Sequence, residues 1–205
     1  DEADEMLNMG FREDIEAILG ATPSTRQTML FSATMPPQIM QLSRAYLKTP
    51  QVIKVAHEKV TVPAIEQIYF EIESYKKLDL FTRLIDLHNP KLSIVFCNTK
   101  RRVDDLIADL RARGYQADGI HGDMTQQKRN KVMERFRKGD VDILVATDVA
   151  ARGLDIPDMP CVINHELPFN AEDFIHRIGR TGRAGSKGDA IALVDDSEKR
   201  LLDDI

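Results

Sequence analysis

Eight consecutive residues near the end of the sequence carry its strongest chemical signal: His176-Arg177-Ile178-Gly179-Arg180-Thr181-Gly182-Arg183. Arginines at spacing three would share one helical face, where like charges repel by about 0.2–0.5 kcal/mol per pair, so a purely structural helix gains nothing from them. The two glycines let the backbone come close to a partner. Fixed, always-charged guanidinium forks beside such a backbone suit a polyphosphate passing through its transition state. The competing reading is a solvated basic turn. Five shorter patterns accompany the octet, and the first three each have a plain alternative. Asp1-Glu2-Ala3-Asp4 is either an acidic first helical turn or a carboxylate set holding Mg²⁺ on a phosphate and activating water. Ser32-Ala33-Thr34 stands between the apolar run Thr28 to Phe31 and Pro36-Pro37, so Thr34 is either a helix N-cap or part of a relay facing a cleft. Thr147-Asp148 ends an apolar run and is followed by Ala151-Arg152-Gly153-Leu154-Asp155-Ile156, where Arg152 and Asp155 either pair with each other or meet a ligand. Finally, Asn98-Thr99-Lys100-Arg101-Arg102 and His121-Gly122-Asp123, the latter ahead of Gln126 and Arg129, place hydroxyls, backbone amides and cations at successive strand ends, a surface suited to tracking phosphates.

These patterns need a scaffold that brings strand ends together, and the hydrophobic pattern supplies one. From residue 64 onward, short β-type runs alternate with helical stripes. Ile68, Phe70 and Ile72 alternate with polar neighbours, while Ser93 to Cys97, Gln116 to Ile120, Val141 to Thr147, Cys161 to His165 and Ala190 to Val194 read as further strands. Helices are predicted through Leu80, Leu84 and Leu87, through Val103 to Leu110 with a stop at Gly114, over Gln126 to Lys138, over Ala171 to Ile178, and over the last nine residues. Apolar strands separated by helices imply an α/β fold: a doubly wound parallel sheet covered on both faces. Residues 1–55 show the same grammar in truncated form, with strands at Gln27 to Phe31 and Val52 to Val55 and helices ending at Gly20 and following Pro36-Pro37. Residues 56–63 are polar, contain Pro63 and read as a linker.

The chain has 205 residues, 42% hydrophobic and 30% charged, a globular composition that excludes collagenous and disordered classes. No apolar stretch reaches the length of a membrane span. The net charge of −5 would not select a nucleic-acid binder, yet Lys100 to Lys138 hold 11 Lys and Arg against 6 Asp and Glu. Positive charge is gathered where phosphates would lie. Cys97 and Cys161 sit inside apolar runs and read as small core residues of a reducing, cytoplasmic compartment. His57, His88, His121 and His165 have no metal-ligand spacing and read as structural. Beginning at Asp1 with four acids in the first five residues, the sequence reads as an excision from a longer chain.

Taken in order, the motifs resemble those of DEAD-box RNA helicases of superfamily 2. Asp1 to Asp4 is similar to the namesake Walker B motif, Ser32 to Thr34 to the SAT motif, Ile94 to Thr99 to the fourth motif, Gln126 with Arg129 to QxxR, Ala151 to Asp155 to ARGxD, and His176 to Arg183 to HRxGRxGR. The resemblance implies two RecA-like domains: residues 1–55 as the end of the first, residues 64–205 as the whole second. It implies that Asp1 coordinates Mg²⁺ and Glu2 activates the attacking water. It further implies Arg180 and Arg183 as arginine fingers, Asp155 on the ATP ribose with Gly153 beside the nucleotide, and Asp4, Ser32, Thr34 and His176 as the coupling between domains. Thr99, Gly122, Arg129 and Thr147 would contact the RNA sugar-phosphate backbone, so binding would be sequence-independent and salt-sensitive.

The implied substrates are ATP and RNA, with the first RecA-like domain as partner, no membrane, and no oligomeric state specified. The Gly-rich Lys-Thr loop and the adenine-recognition motif of the family do not occur in these 205 residues, so this piece is expected not to hydrolyse ATP alone. A nucleotide-independent RNA-binding or protein-interaction module is the alternative. A DNA-translocating relative is disfavoured by the tetrad and octet together.

Overall fold

The apolar runs from residue 64 onward become the strands of one parallel sheet, and the amphipathic stretches between them become its cover. In the computed structural model the described residues are all but 1, 33, 55–64, 153, 155, 157 and 183–185. The chain divides into two compact units, Asp1–Lys59 and Val60–Ile205. The linker expected at 56–63 lies outside the described residues.

In the larger unit the strands are β1 (Ile65–Glu71), β2 (Ser93–Phe96), β3 (Ala117–Ile120), β4 (Ile143–Ala146), β5 (Cys161–Asn164) and β6 (Gly188–Val194), in the spatial order β1-β6-β5-β2-β4-β3. Every pairing is parallel. Period-two alternation splits the side chains of the central strands between two cores. Val95, Ile143, Val145, Cys161, Ile163, Ile191 and Leu193 face one side and pack against Phe81, Leu84 and Ile85 of a helix over Lys77–His88 and Val103, Leu106, Ile107 and Leu110 of one over Lys100–Ala112. Ile94, Phe96, Leu144, Ala146 and Val162 face the other and meet Val132, Met133 and Phe136 of a helix over Gln126–Lys138. Burial on both faces explains why β2, β4 and β5 are buried at every position and, apart from Ser93 and Asn164, apolar without alternation.

In chain order the helices of the smaller unit are α1 (Ala3–Asn8), α2 (Arg12–Ala21) and α3 (Pro37–Tyr46). Those of the larger unit are α4 (Lys77–His88), α5 (Lys100–Ala112), α6 (Gln126–Lys138), α7 (Asp148–Ala151), α8 (Ala171–Ile178) and α9 (Lys199–Asp204). The expected extents of α6 and α8 agree with the structure residue for residue. α2 continues one residue past Gly20. The short α7 has no counterpart among the helices read from the sequence. The strands expected at Gln27 to Phe31 and at Val52 onward are not formed among the described residues. A run with β propensity becomes a strand only when a neighbour completes its hydrogen-bond ladder, and among the described residues Gln27 to Phe31 is joined to a neighbouring segment by a single backbone bond, from Ala3 N to Phe31 O at 3.1 Å.

Candidate active site

Because every strand of the larger unit runs in the same direction, all carboxyl ends emerge on one edge, and the candidate residues follow from them. Thr99 follows β2, Gly122 follows β3, Thr147 follows β4, and α8 with His176 follows β5. Through the pairings β2·β4 and β4·β3, the RNA candidates Thr99, Thr147 and Gly122 occupy three neighbouring strand ends. Thr99 is exposed and N-caps α5, its hydroxyl accepting from Arg102 N at 3.2 Å. Thr147 is buried, and its carbonyl accepts from Ala150 N and Ala151 N at 3.1 and 2.9 Å, opening α7. Arg129, in the first turn of α6, reaches the same turn and donates from Nη2 to Ala150 O at 2.7 Å; its buried Nε meets no acceptor among the described residues.

Sequence reasoning missed the residue that holds this edge together. Arg177, 1% exposed, donates from Nε and Nη2 to both carboxylate oxygens of Asp148 at 2.6 and 2.7 Å. From Nη1 it donates to Asn164 Oδ1 at 3.0 Å and Glu166 O at 2.6 Å, and from Nη2 also to Asn98 Oδ1 at 2.8 Å. Its guanidinium lies over the Phe96 ring, 5.2 Å from the centroid. A buried cation is tolerated only when paired and fully hydrogen-bonded, and this planar fork meets both conditions. Asn98 is equally committed: its N donates to Glu166 Oε2 and its Nδ2 to Leu167 O, each at 2.8 Å. Thus the residues just before Thr99 and just after Thr147 are fixed by one side chain. Arg177 and Arg180 do not share one helix as their spacing suggests, because α8 ends at Ile178. Arg177 turns inward from its last turn, and Arg180 follows beyond it. A signal was present in the sequence: an arginine in the last turn of a strongly amphipathic helix, on the same side as the apolar residues.

Arg180 is held by the backbone that follows. Its carbonyl accepts from Met159 N at 2.9 Å, Thr181 forms a bridge to Met159 with its hydroxyl donating to Met159 O, and Gly182 takes a left-handed φ of 68°. Only glycine adopts that φ without penalty. A Cβ at Gly188, where β6 begins, would overlap the Thr181 hydroxyl and lie 2.8 Å from Thr181 Cβ, so the turn packs directly on the strand. Arg152 pairs with Asp173 of α8 at 2.5 Å, and Asp173 is in turn held by Asn170, whose Oδ1 accepts from Asp173 N and whose Nδ2 donates to Oδ2. Arg152, Asp173, His176, Arg177 and Arg180 line a small pocket on this edge. The alternative pairing of Arg152 with Asp155 falls on a residue outside the described ones, as do Asp1, Gly153 and Arg183.

Behind the edge is a second polar cluster that the sequence did not reveal. Lys77, 2% exposed, donates to Glu198 Oε2 at 2.5 Å, Asp195 Oδ2 at 3.1 Å and His165 O at 3.2 Å. Glu198 Oε1 accepts from Leu167 N at 2.8 Å. Burial raises the Asp195 carboxyl, but hydrogen bonds from Ser197 and Lys77 with the nearby Lys77 charge outweigh it and hold the group below its ordinary value. His165 is fully buried, edge-on to Phe81, and neither ring nitrogen has a hydrogen-bond partner among the described residues; burial first, then the charges of Arg102 and Lys77, push its pKa down to about 3. It is a structural histidine, as the sequence suggested. Cys97 and Cys161 are buried, and burial raises both thiols, Cys161 to about 12, so neither is a nucleophile.

In the smaller unit three candidates meet. Asp4 Oδ2 accepts from Thr34 N and from Thr34 Oγ1, both at 2.7 Å, and Asp4 N donates to Ser32 Oγ at 3.2 Å. Burial raises the Asp4 carboxyl, yet hydrogen bonds from Thr34, Ser32 and Glu5 N leave it below its usual value. The Thr34 hydroxyl is therefore spent on Asp4, and the N-cap of α3 is Pro36. Glu2 precedes α1 in the left-handed region, φ 52° and ψ 45°, a conformation that costs a non-glycine residue about 1 kcal/mol or more. Among the described residues no helix is long and apolar enough to cross a membrane.

Comparison with known proteins places this arrangement. Residues 76–185 match the model of the helicase conserved C-terminal domain, and residues 1–42 match that of the DEAD/DEAH box helicases. The chain is 55% identical over all 205 residues to the DEAD-box ATP-dependent RNA helicase CshA of Bacillus cereus, covering 39% of that protein, and 55% identical over 194 residues to CshA of Geobacillus kaustophilus, covering 95% of this chain and 42% of that protein. It thus spans about two fifths of the length of the curated relatives it matches. Among solved structures, Saccharomyces cerevisiae Dbp5 bound to RNA and ADP BeF3 superposes with a TM-score of 0.85 at 34% identity, covering 99% of this chain and 54% of that one. A DEAD box protein from Methanococcus jannaschii gives 0.65 at 44% identity, covering 99% and 55%. By its matching motifs, its six-stranded parallel sheet and these relatives, the chain belongs to the DEAD-box family of helicases.

Proposed function

We propose that the protein carrying this chain is an ATP-dependent RNA helicase that couples ATP binding and hydrolysis to local separation of RNA strands. Residues 1–55 are read as the end of a first RecA-like domain and residues 64–205 as the second. Relatives named as ATP-dependent RNA helicases and a structural neighbour bound to RNA and ADP BeF3 support this reading. The observation that carries it is the Arg177 clamp, which fixes one sheet edge bearing Thr99 and Thr147 on one flank and Arg180 on the other.

In this reading Arg180 and Arg183 aim cationic forks at the transferred phosphoryl group, where charge develops and fixed donors act most strongly. Asp155 accepts from the ribose, and Gly153 lets the backbone approach the nucleotide. Thr99, Gly122, Arg129 and Thr147 hold the RNA sugar-phosphate backbone, which gives binding without base readout. Glu2 orients the attacking water. Asp4, already joined to Ser32 and Thr34, transmits the state of the phosphate site, and His176 is its counterpart in the second domain. The Asp4 carboxylate is occupied by Thr34 and by Glu5 N, and Asp1, to which the family resemblance gives the metal, would hold Mg²⁺ as a hard oxygen ligand. When bound, the ion would neutralise charge on the phosphate oxygens. The reading places the protein in the cytoplasm, whose reducing conditions keep thiols such as Cys97 and Cys161 free.

The test is RNA-stimulated ATP hydrolysis by the full-length protein and its Arg180→Ala variant. Loss of an arginine finger should lower turnover by about 10³–10⁵. Unchanged turnover in the variant would sink the arginine-finger assignment, and no RNA-stimulated turnover by the full-length protein would leave a nucleotide-independent RNA-binding module.

A further inference from the structure

α6 begins beside the strand-end edge, at Thr125 and Gln126, and runs down the flank of the sheet to Lys138. Val132, Met133 and Phe136 bury one side of it. At 100° per residue, Lys128, Lys131, Arg135 and Lys138 fall together within about a quarter-turn on the outward side, and all four are exposed. The helix carries six cations, these four with Arg129 and Arg137, against one acid, Glu134. Two of the four are partly answered: Arg135 by Asp118 at 2.5 Å and Lys138 by Glu134 at 2.6 Å. The side chains of Lys128 and Lys131 make no ion pair among the described residues. At its lower end Lys138 joins Arg137 and Lys91 in lining a cleft of about 910 Å³ beneath the starts of β2, β3 and β4. Beyond those two ion pairs a cationic row of this kind repels itself, so the Lys128 and Lys131 charges add no pairing on which the fold depends.

We propose that this outward row, Lys128, Lys131, Arg135 and Lys138, is a second phosphate-binding track that receives RNA extending past the strand-end contacts. The proposal rests on the RNA reading above and deepens it. From Lys128 to Lys138 the row covers about 15 Å at 1.5 Å per residue. That distance matches about four phosphates on one strand of a duplex. A protein-docking surface is the other chemistry that cations could serve, but such surfaces are built around a desolvated apolar or aromatic centre. The outward side of α6 has none: its remaining residues are Gln127, Asn130 and Glu134. The row also starts within one turn of Arg129, a candidate backbone contact, so a single RNA can follow both surfaces.

The test uses the full-length protein and Lys128→Ala/Lys131→Ala, which removes the two unpaired cations without touching the core. Binding is measured against salt for two RNAs: a short single strand just long enough to span the strand-end contacts, and the same strand carrying a duplex extension. The extended RNA should bind the variant roughly threefold or more weaker, and the slope of log K against log salt should shrink by about 1 per lysine removed, while the short strand binds as before. Equal binding of the extended RNA by both proteins, with the short strand still bound, overturns the track alone. Equal loss on both RNAs overturns it too, because the lysines would then act through the strand-end site. If the unmodified protein binds neither RNA, the RNA reading falls and the track with it. Binding of polyglutamate as tightly as the extended RNA, lost in the variant, would reassign the row to an acidic protein partner.

Discussion

Replacing Arg177 with lysine keeps the charge and removes the fork, which separates electrostatics from geometry at the centre of the site. Arg177 serves Asp148 twice and Asn164, Glu166 and Asn98 once each, and it does so from three nitrogens in one plane. A lysine ammonium has three donors at a single point and cannot span those acceptors, so at least two are left buried and unanswered. At about 1–3 kcal/mol for each orphaned buried group, the loss is about 2–6 kcal/mol, and a fully broken buried pair sets a comparable figure of about 3–5 kcal/mol. We therefore expect about 3 kcal/mol of destabilisation. With a urea dependence of about 2 kcal/mol per molar, the midpoint of unfolding should fall by about 1.5 M in a circular-dichroism titration. Asp148→Asn made alone and together with Arg177→Lys completes a double-mutant cycle, in which contact predicts a coupling of at least about 1 kcal/mol. A midpoint within about 0.3 M of the unmodified protein, or additive effects in the cycle, would refute the clamp.

Three further outcomes follow from the same structure. His165 stays neutral when folded down to about pH 3 but takes up a proton near pH 6.5 when unfolded, so the unfolded state binds the extra proton in that window and stability falls as pH falls; at about 1.4 kcal/mol per pH unit, His165→Asn should gain about 2 kcal/mol on the unmodified protein between pH 6.5 and 5, and parallel urea titrations at the two pH values would contradict it. Gly188→Ala should cost about 1–3 kcal/mol by overpacking against Thr181, with a fall in ATP turnover because the Arg180 turn must shift; a melting curve unchanged by the substitution would argue against that packing. Lys77→Met strands the buried carboxylate of Glu198 and the partly buried one of Asp195 and should cost about 3–5 kcal/mol, which the added change Glu198→Gln should partly restore in chemical denaturation.

Much of this architecture was legible because it rests on period and punctuation. The extents of α6 and α8 follow from apolar spacing with a cap on one side and glycine on the other: Thr125 and Gly139 for α6, Asn170 and Gly179 for α8. The parallel sheet followed from apolar runs too uniform to face water. What stayed illegible depended on partners distant in sequence. Gln27 to Phe31 has strand propensity but no ladder to join. Arg177 reads as one more surface arginine until Asp148, Asn98 and Asn164 are seen converging on it, and Lys77 looks like any helix-starting lysine until Glu198 is placed 121 positions away. Of the site, the strand-end hydroxyls and the Asp4, Ser32 and Thr34 cluster were anticipated by motif. The scaffold that holds the strand ends, Arg177 with Asn98 and Asp148, was not.

The reach of these bonds also sets an order of events during synthesis. Asn98 meets Arg177 across 79 positions and Lys77 meets Glu198 across 121, and both ties wait for segments that leave the ribosome late. A parallel sheet already folds slowly, because each pairing must close a long loop before it is rewarded. A nascent chain that has emerged only as far as residue 170 holds β1 through β5, yet Asp148 and Asn98 are still without their arginine and β6 has not filled the gap between β1 and β5. Until residues 171–205 follow, a span of about one α/β unit, the domain has five of its six strands and no assembled site, and it exposes two unpaired inner edges to other nascent chains.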